Sequence, residues 1–348
     1  MKTGLRPKSD GIALVMVMCA IVVLSALAAA LTYSMKVETR LAQNAGSEQQ
    51  LYWLGRSGVE YCRWVLMQEK CPYESLNQKW AGGSGSECDT NLPTENPVHV
   101  GEGTFTWKIF DLERRVNINT AIATTIQQAL TLMERDPNDI AVVSDSILDW
   151  IDTDDLPRPA GAESDYYQGL SPPYFAKNAP IDDLAELQYI KGVTYEIYSG
   201  HSTNESAGTF HHQLGFGSAP GQDFANGLGL TNFFTPFSTG RININTADTN
   251  VLQMIPGVNA AMADAIVKQR AGPDGVDGTE DDIPYQDVSQ LAGITGLNPQ
   301  QFGNLCDVHS LTFEVHVIAQ LGDYKREYVA ILARTSGTDI QVVSFYGQ

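Results

Sequence analysis

Residues 11–32 read GIALVMVMCAIVVLSALAAALT, and from Ile12 to Thr32 not one residue is charged. As a helix rising about 1.5 Å per residue, this run would span about 32 Å, close to the roughly 30 Å apolar thickness of a bilayer. Lys2, Arg6, Lys8 and Asp10 precede it as a short, mostly basic leader. A basic flank stays on the cytoplasmic side, which would put everything after the helix beyond the membrane. Three readings fit. The segment is a secretory signal with small residues at Ala28–Ala30, an uncleaved anchor, or a leader that a prepilin-type peptidase cuts after Gly11 to leave Ile12 first. A secretory signal has an apolar core of roughly 7–15 residues. The longer run here starts directly after Gly11, which favours the third reading.

The helical signal continues past the apolar run. Val37, Leu41, Ala45, Tyr52, Gly55, Val59, Cys62 and Leu66 keep a period near 3.6, interrupted only by Glu48, and no proline occurs from 12 to 71. One helix of almost 60 residues is expected, roughly 85 Å long, half in the membrane and half packed on a soluble domain. Gly46, Gly55 and Gly58 are places where it could weaken or bend.

The formal net charge is −19. So acidic a surface repels phosphate backbones and concentrates divalent cations, so nucleic acid is not expected as a partner. Of five cysteines, Cys19 lies in the apolar run, leaving Cys62, Cys71, Cys88 and Cys306 in a compartment where disulfides persist. Cys71 and Cys88 flank a polar, Gly-rich loop and are the preferred pair among three possible connectivities.

Residues 81–103 read as loop, followed by a strand over Thr104–Phe110. Three further strands are expected at Leu311–Leu321, Glu327–Arg334 and Ile340–Tyr346. A sheet whose first strand lies about 190 mostly helical residues before its partners implies an inserted domain. Within it, Val116–Asn–Ile–Asn–Thr–Ala121 recurs as Ile242–Asn–Ile–Asn–Thr–Ala247. Each copy leads from a short extended stretch into Asn and Thr, good helix N-caps, so two similar helical modules are expected.

Six carboxylates fall within 17 residues at Asp149, Asp152, Asp154, Asp155, Glu163 and Asp165, with Pro157, Pro159 and Gly161 between them. Calcium takes six to eight oxygen ligands from a backbone that can wrap around it. Asp152, Asp154, Asp155, Glu163 and Asp165 are the candidate ligands; the alternative is a solvated acidic loop with local Asx turns. A second Gly-rich acidic stretch offers Asp274, Asp277 and Asp281, without the spacing of an EF-hand. Leu252–Gln–Met–Ile–Pro256–Gly257–Val258 has the look of a helix-hairpin-helix. Asn259 stands where the second glycine of DNA-binding members is expected, so a structural hairpin is the better reading. Tyr189–Ile–Lys–Gly192–Val–Thr is a weaker relative of the same turn. No H-E-x-x-H, G-x-S-x-G or Walker-type loop occurs, so no enzymatic step is assigned.

Leu148–Asp–Trp–Ile–Asp–Thr–Asp–Asp–Leu–Pro–Arg–Pro–Ala–Gly–Ala–Glu–Ser–Asp–Tyr–Tyr167, with Ser171–Pro–Pro–Tyr and Lys177–Asn–Ala–Pro180, resembles the K-type minor pseudopilins of type II secretion systems (the GspK family). The resemblance covers essentially the whole chain. It implies an α+β fold in which a long pilin-type helix packs on a small antiparallel sheet, interrupted by a large, mainly helical insertion. The expected divisions are a leader at 1–11, the membrane half of the helix at 12–32 and its periplasmic half at 33–70. A loop and first pilin strand follow at 71–115, then the insertion at 116–306 and the remaining strands at 307–348. The resemblance also implies structural calcium in the insertion, cleavage by a prepilin peptidase, and packing with other minor pseudopilins and the major pseudopilin through the N-terminal helix. Pilin-like subunits usually carry glutamate fifth after the cleavage point. Met16 stands there, as the resemblance implies for K-type subunits, and a subunit without that carboxylate suits the top of a filament. The expected function is thus a non-enzymatic inner-membrane subunit of the pseudopilus tip. A minor pilin of a type IV pilus, a membrane-tethered DNA receptor using the hairpin and a calcium-dependent exported enzyme are the alternatives.

Overall fold

The computed structural model describes residues 10–86, 88–89, 95–200, 227–294, 302–336 and 339–348. The leader at 1–9, parts of the expected 81–103 loop, and His201, His211 and His212 lie outside the described residues.

Helix α1 runs unbroken over Asp10–Gln68, 59 residues. Every described side chain from Ala13 to Ala42 is exposed, and the apolar part of this stretch is long enough to cross a membrane. Burial against the chain's own domain begins only at Leu51 and follows Leu54, Val59, Cys62, Val65 and Leu66. Tyr52 and Val37, expected on that stripe, are exposed instead. The glycines act by size rather than by bending. A Cβ on Gly55 would lie 2.2 Å from the Tyr328 ring, and one on Gly58 would lie 2.5 Å from Val317, whereas Gly46 faces open space. Two missing side chains thus let the helix backbone settle onto the sheet.

After α1 come strands β1 (Val98–Val100) and β2 (Gly103–Asp111). The insertion then holds β3 (Val116–Asn117), α2 (Ala123–Leu132), α3 (Pro137–Ile151), α4 (Ser164–Gln168), α5 (Tyr195–Ser199), α6 (Leu230–Phe233), β4 (Phe234–Thr235), β5 (Ile242–Asn243), α7 (Thr249–Leu252), α8 (Ala260–Arg270) and β6 (Cys306–Asp307). Strands β7 (Thr312–Leu321), β8 (Tyr324–Ser336) and β9 (Asp339–Gly347) close the chain. The main sheet has the order β1-β2-β7-β8-β9 and is antiparallel throughout. Alternation along β2 buries Phe105, Trp107 and Ile109 under α1, beside Val315, Val317 and Ala330. The fold is α+β, and β1 and the two-residue strands β3 to β6 are additions to the expected set.

Asp111 at the end of β2 pairs with Phe313 near the start of β7, so the insertion departs and returns at one place. The internal echo explains how it is built. Asn119 and Asn245 each use one carboxamide to clamp a distant backbone: Asn119 donates to Ile181 O (2.9 Å) and accepts from Ile181 N (2.7 Å), and Asn245 does the same with Tyr285 (2.8 and 2.8 Å). Asn117 and Asn243 fold the two stretches identically, accepting from Asn119 N and Asn245 N at 2.9 Å each. The expected N-cap role is therefore corrected. Ile122 stands at the N-cap of α2 and makes no side-chain cap, and α7 is capped by Asp248, while the asparagines are engaged in the clamps.

The neck between insertion and sheet is polar and buried. Asp111 accepts from Thr246 Oγ1 (2.5 Å) and Asn243 Nδ2 (3.2 Å), while Glu113 accepts from the backbone N–H groups of Thr239 (3.3 Å) and Thr312 (3.0 Å). Glu74 pairs with Arg334 and accepts from Ser310 N. Burial and the adjoining Asp111 carboxylate push Glu113 up to about 8.

Two expectations follow. Gly58→Leu should overpack the helix–sheet seam and cost about 1–3 kcal/mol, while Gly46→Ala should gain roughly 0.5–1 kcal/mol of helix propensity, both read as shifts in melting temperature of the full chain in detergent. Glu113 keeps a proton in the native state that the unfolded chain releases near an ordinary carboxyl pKa of about 4.3. Stability should therefore decline as pH rises from about 5 to 8 and level off above, and Glu113→Gln should flatten that slope in melting curves.

Candidate functional site

The acidic loop is assembled from the C-terminal end of α3 and the turn leading into α4. Asp136 caps α3, accepting from Asn138 N (2.9 Å), with Pro137 in the first turn. The helix then delivers Asp145 and Asp149 inward, one turn apart, and ends on Asp152. The chain doubles back so that Ala160 N donates to Asp145 Oδ2 (3.1 Å) and Arg158 N to the Asp149 carboxylate (3.1 and 3.3 Å). Arg158 Nη1 bridges Asp149 Oδ1 (2.6 Å) and Asp152 Oδ2 (2.5 Å). Lys191 holds the far side of the loop through the carbonyls of Gly161 (2.9 Å) and Ala160 (3.3 Å). Behind it, Trp150 meets Tyr167 edge-on and Tyr167 stacks on Tyr174, giving the loop a rigid aromatic floor.

Carboxylate oxygens of Asp152, Asp154 and Glu163 lie within 4.8 Å of one another. Glu163 is 3% exposed, sits at the N-cap of α4 without capping it, and neither of its oxygens has a hydrogen-bond partner. Asp152 Oδ1 and Asn178 Oδ1 are likewise buried and unpartnered. Burial, followed by the charges of Asp149, Asp152, Asp155 and Asp154, pushes Glu163 up to about 7. Buried acceptors without donors among converging carboxylates are the electrostatic demand that a divalent cation meets. The donor set is hard oxygen on an irregular backbone, which suits calcium.

The remaining candidates divide. Asp155 stands at the rim, accepting from Ser164 Oγ (3.1 Å) and Asn178 Nδ2 (3.0 Å). Asp165 is exposed in the first turn of α4 and is not part of the cluster. The second acidic stretch is corrected more sharply, because among the described residues Asp274, Asp277 and Asp281 form no converging group. Asp277 makes a bidentate pair with buried Arg270 (3.0 and 2.7 Å), Asp274 accepts from Val276 N, and Asp281 accepts from Thr279 and Asp274 N. Those acids are consumed in folding their own turn. Arg158 and Asn178 join the site beyond the residues expected from sequence; a lone arginine inside an acidic run is the signal for the first.

Cys71 and Cys88 are joined in a disulfide with Cα atoms 5.4 Å apart, while Cys62 and Cys306 are buried in different cores as free thiols. Gly11 and Ile12 fall within α1, and Met16 is exposed on its apolar part. In the hairpin, Gly257 takes a φ of 90° and Asn259 caps α8 by accepting from Met262 N (3.0 Å). That N–H is therefore satisfied within the chain, and Leu252, Ile255 and Val258 of the hairpin are buried in the core of the insertion.

A membrane-length apolar helix that continues as the spine of an antiparallel sheet defines a pilin-like subunit. Residues 109–200 match the family model for type II secretion system protein K, and residues 238–307 match the helix-hairpin-helix motif. The chain is 22% identical to the type II secretion system protein K of Aeromonas hydrophila, over 97% of this chain and 96% of that protein. It is also 22% identical to the Pseudomonas aeruginosa protein K, over 98% and 93% respectively. Its fold matches a chain of the GspK–GspI–GspJ complex of the enterotoxigenic Escherichia coli type 2 secretion system with a TM-score of 0.64 and 16% identity, covering 88% of this chain and 99% of that one. In sequence and fold the chain is thus similar to the K-type minor pseudopilins of type II secretion systems.

If the trio binds calcium, Glu163→Gln should weaken binding at least about tenfold and shrink the calcium-induced rise in melting temperature. Asp277→Asn should cost about 3–5 kcal/mol by orphaning Arg270, yet leave the calcium response unchanged. Calorimetry with and without chelator reads both.

Proposed function

We propose that this minor pseudopilin is anchored in the inner membrane by residues 12–32, with its remaining domains in the periplasm, and stands at the tip of the pseudopilus. The observation that carries this reading is Met16. At the fifth place after Gly11 it offers no carboxylate to a neighbour's N-terminal amine, and its side chain is exposed on the apolar face. A carboxylate in lipid costs on the order of 2.5–3.5 kcal/mol unless paired, so a subunit with no neighbour above it gains by lacking one. The insertion supports the same placement, since a domain of this bulk hung between β2 and β7 obstructs regular repetition along a thin filament.

Other minor pseudopilins are the proposed partners, through the exposed stretch of α1 between the membrane and Leu51. Calcium is the proposed ion. When bound it would neutralise the loop at the α3–α4 turn, held by Asp152, Asp154 and Glu163, and stabilise the insertion by mass action without a chemical step. The role is structural.

Co-expression with a prepilin peptidase, followed by sequencing of the mature protein, tests the anchor. Ile12 is the expected first residue. An N-terminus at Leu31 would instead mark ordinary secretion and remove the pseudopilus reading.

A further inference from the structure

The acidic loop carries its own cation. Asp149 is wholly buried, and its carboxylate is held by the Arg158 backbone N–H and guanidinium. The same Nη1 takes Asp152 Oδ2, leaving Asp152 Oδ1 buried, unpartnered and grouped with Asp154 and Glu163. Asp152 is therefore shared, with one oxygen on the arginine and the other at the place where an ion would bind. Nearby lysines are committed elsewhere: Lys177 pairs with Asp182 and Glu186, and Lys191 donates to two carbonyls. With its side chain 36% exposed, the guanidinium also has water into which it can withdraw.

We propose that Arg158 is a tethered surrogate for the divalent ion, a specificity-determining residue that keeps the loop folded when no ion is bound and holds the affinity for calcium down. The proposal rests on calcium as the ion at the trio. Five carboxylates at Asp149, Asp152, Asp154, Asp155 and Glu163 repel one another, and either cation relieves part of that repulsion. The two act on the same charges, so each reduces what the other contributes. Because Arg158 and the ion would take opposite oxygens of one carboxylate, their separation would be on the order of 6 Å, and the Coulomb cost is reckoned at that range. At that range a single positive charge costs a divalent ion about one tenfold step in affinity even in a water-like dielectric.

Calcium titration calorimetry and melting curves on the full chain in detergent, for wild type, Arg158→Gln and Arg158→Lys, test the proposal. Expected for Arg158→Gln is calcium binding about tenfold tighter, with a loss of melting temperature that is large in chelator and small in millimolar calcium. Arg158→Lys keeps the charge and should bind calcium within about threefold of wild type. An Arg158→Gln chain that folds only with calcium present supports the proposal as well. Equal losses with and without calcium would reduce Arg158 to a packing residue, and weaker binding would make it a mere aligner of Asp152. A variant that fails to fold even in millimolar calcium overturns the proposal, because the ion then does not substitute for the arginine. A wild-type chain with no calcium response removes the ion reading itself, a result distinct from these.

Discussion

One helix carries two kinds of surface, and the rest of the molecule is arranged around that change. From Ile12 to Thr32 α1 carries no charge on any side, the pattern of a rod suited to lipid or to other rods. From Leu51 onward it must instead be amphipathic and seat itself in a sheet. The change from one regime to the other is made by side-chain size as much as by polarity. At Gly55 and Gly58 the helix gives up volume so that Tyr328 and Val317 can close against its backbone. Without that seam the strands would lose the lid that covers Phe105, Trp107 and Ile109.

A strongly acidic chain must also dispose of its buried carboxylates, and this one does so in three ways. At the neck, Asp111 and Glu113 are sunk among backbone N–H, hydroxyl and amide donors, and Glu113 keeps its proton. In the second module, Asp277 is matched by a bidentate arginine that also braces the carbonyls of Ile244 and Ala247 (2.7 Å each). The α3–α4 loop leaves charge over after its arginine has been used. The loops have similar composition, so the difference lies in how many acids each local cation must balance.

Much of the architecture was legible from periodicity. A charge-free run of membrane length, a stripe of period 3.6 and four alternating segments led to α1 and the main sheet, and the wide gap between the first and second strands exposed the insertion. The misreadings came from contacts between residues far apart in sequence. Asn119 and Asn245 look like helix caps, and nothing local reveals that they clamp Ile181 and Tyr285, 62 and 40 residues on. Asp277 looked like a ligand because Arg270 sits on the preceding helix, outside the acidic loop. Arg158 lay within the motif itself, but its hold on Asp149 depends on the chain reversing at Pro157 and Pro159, which spacing does not disclose.

The adjacency of Asp111 and Phe313 has a kinetic corollary. During folding β2 cannot zip onto β7 until some 200 intervening residues have been brought end to end, and closing so long a loop carries an entropic cost that grows with its length. Each module of the insertion fastens its own ends through a two-residue parallel ladder and is braced within by an asparagine clamp. Once those have formed, the effective loop is no longer a flexible coil but a compact body whose two tethers already lie side by side. A head folded first would act as the splint on which the remainder of the sheet is set, because it removes most of that closure cost.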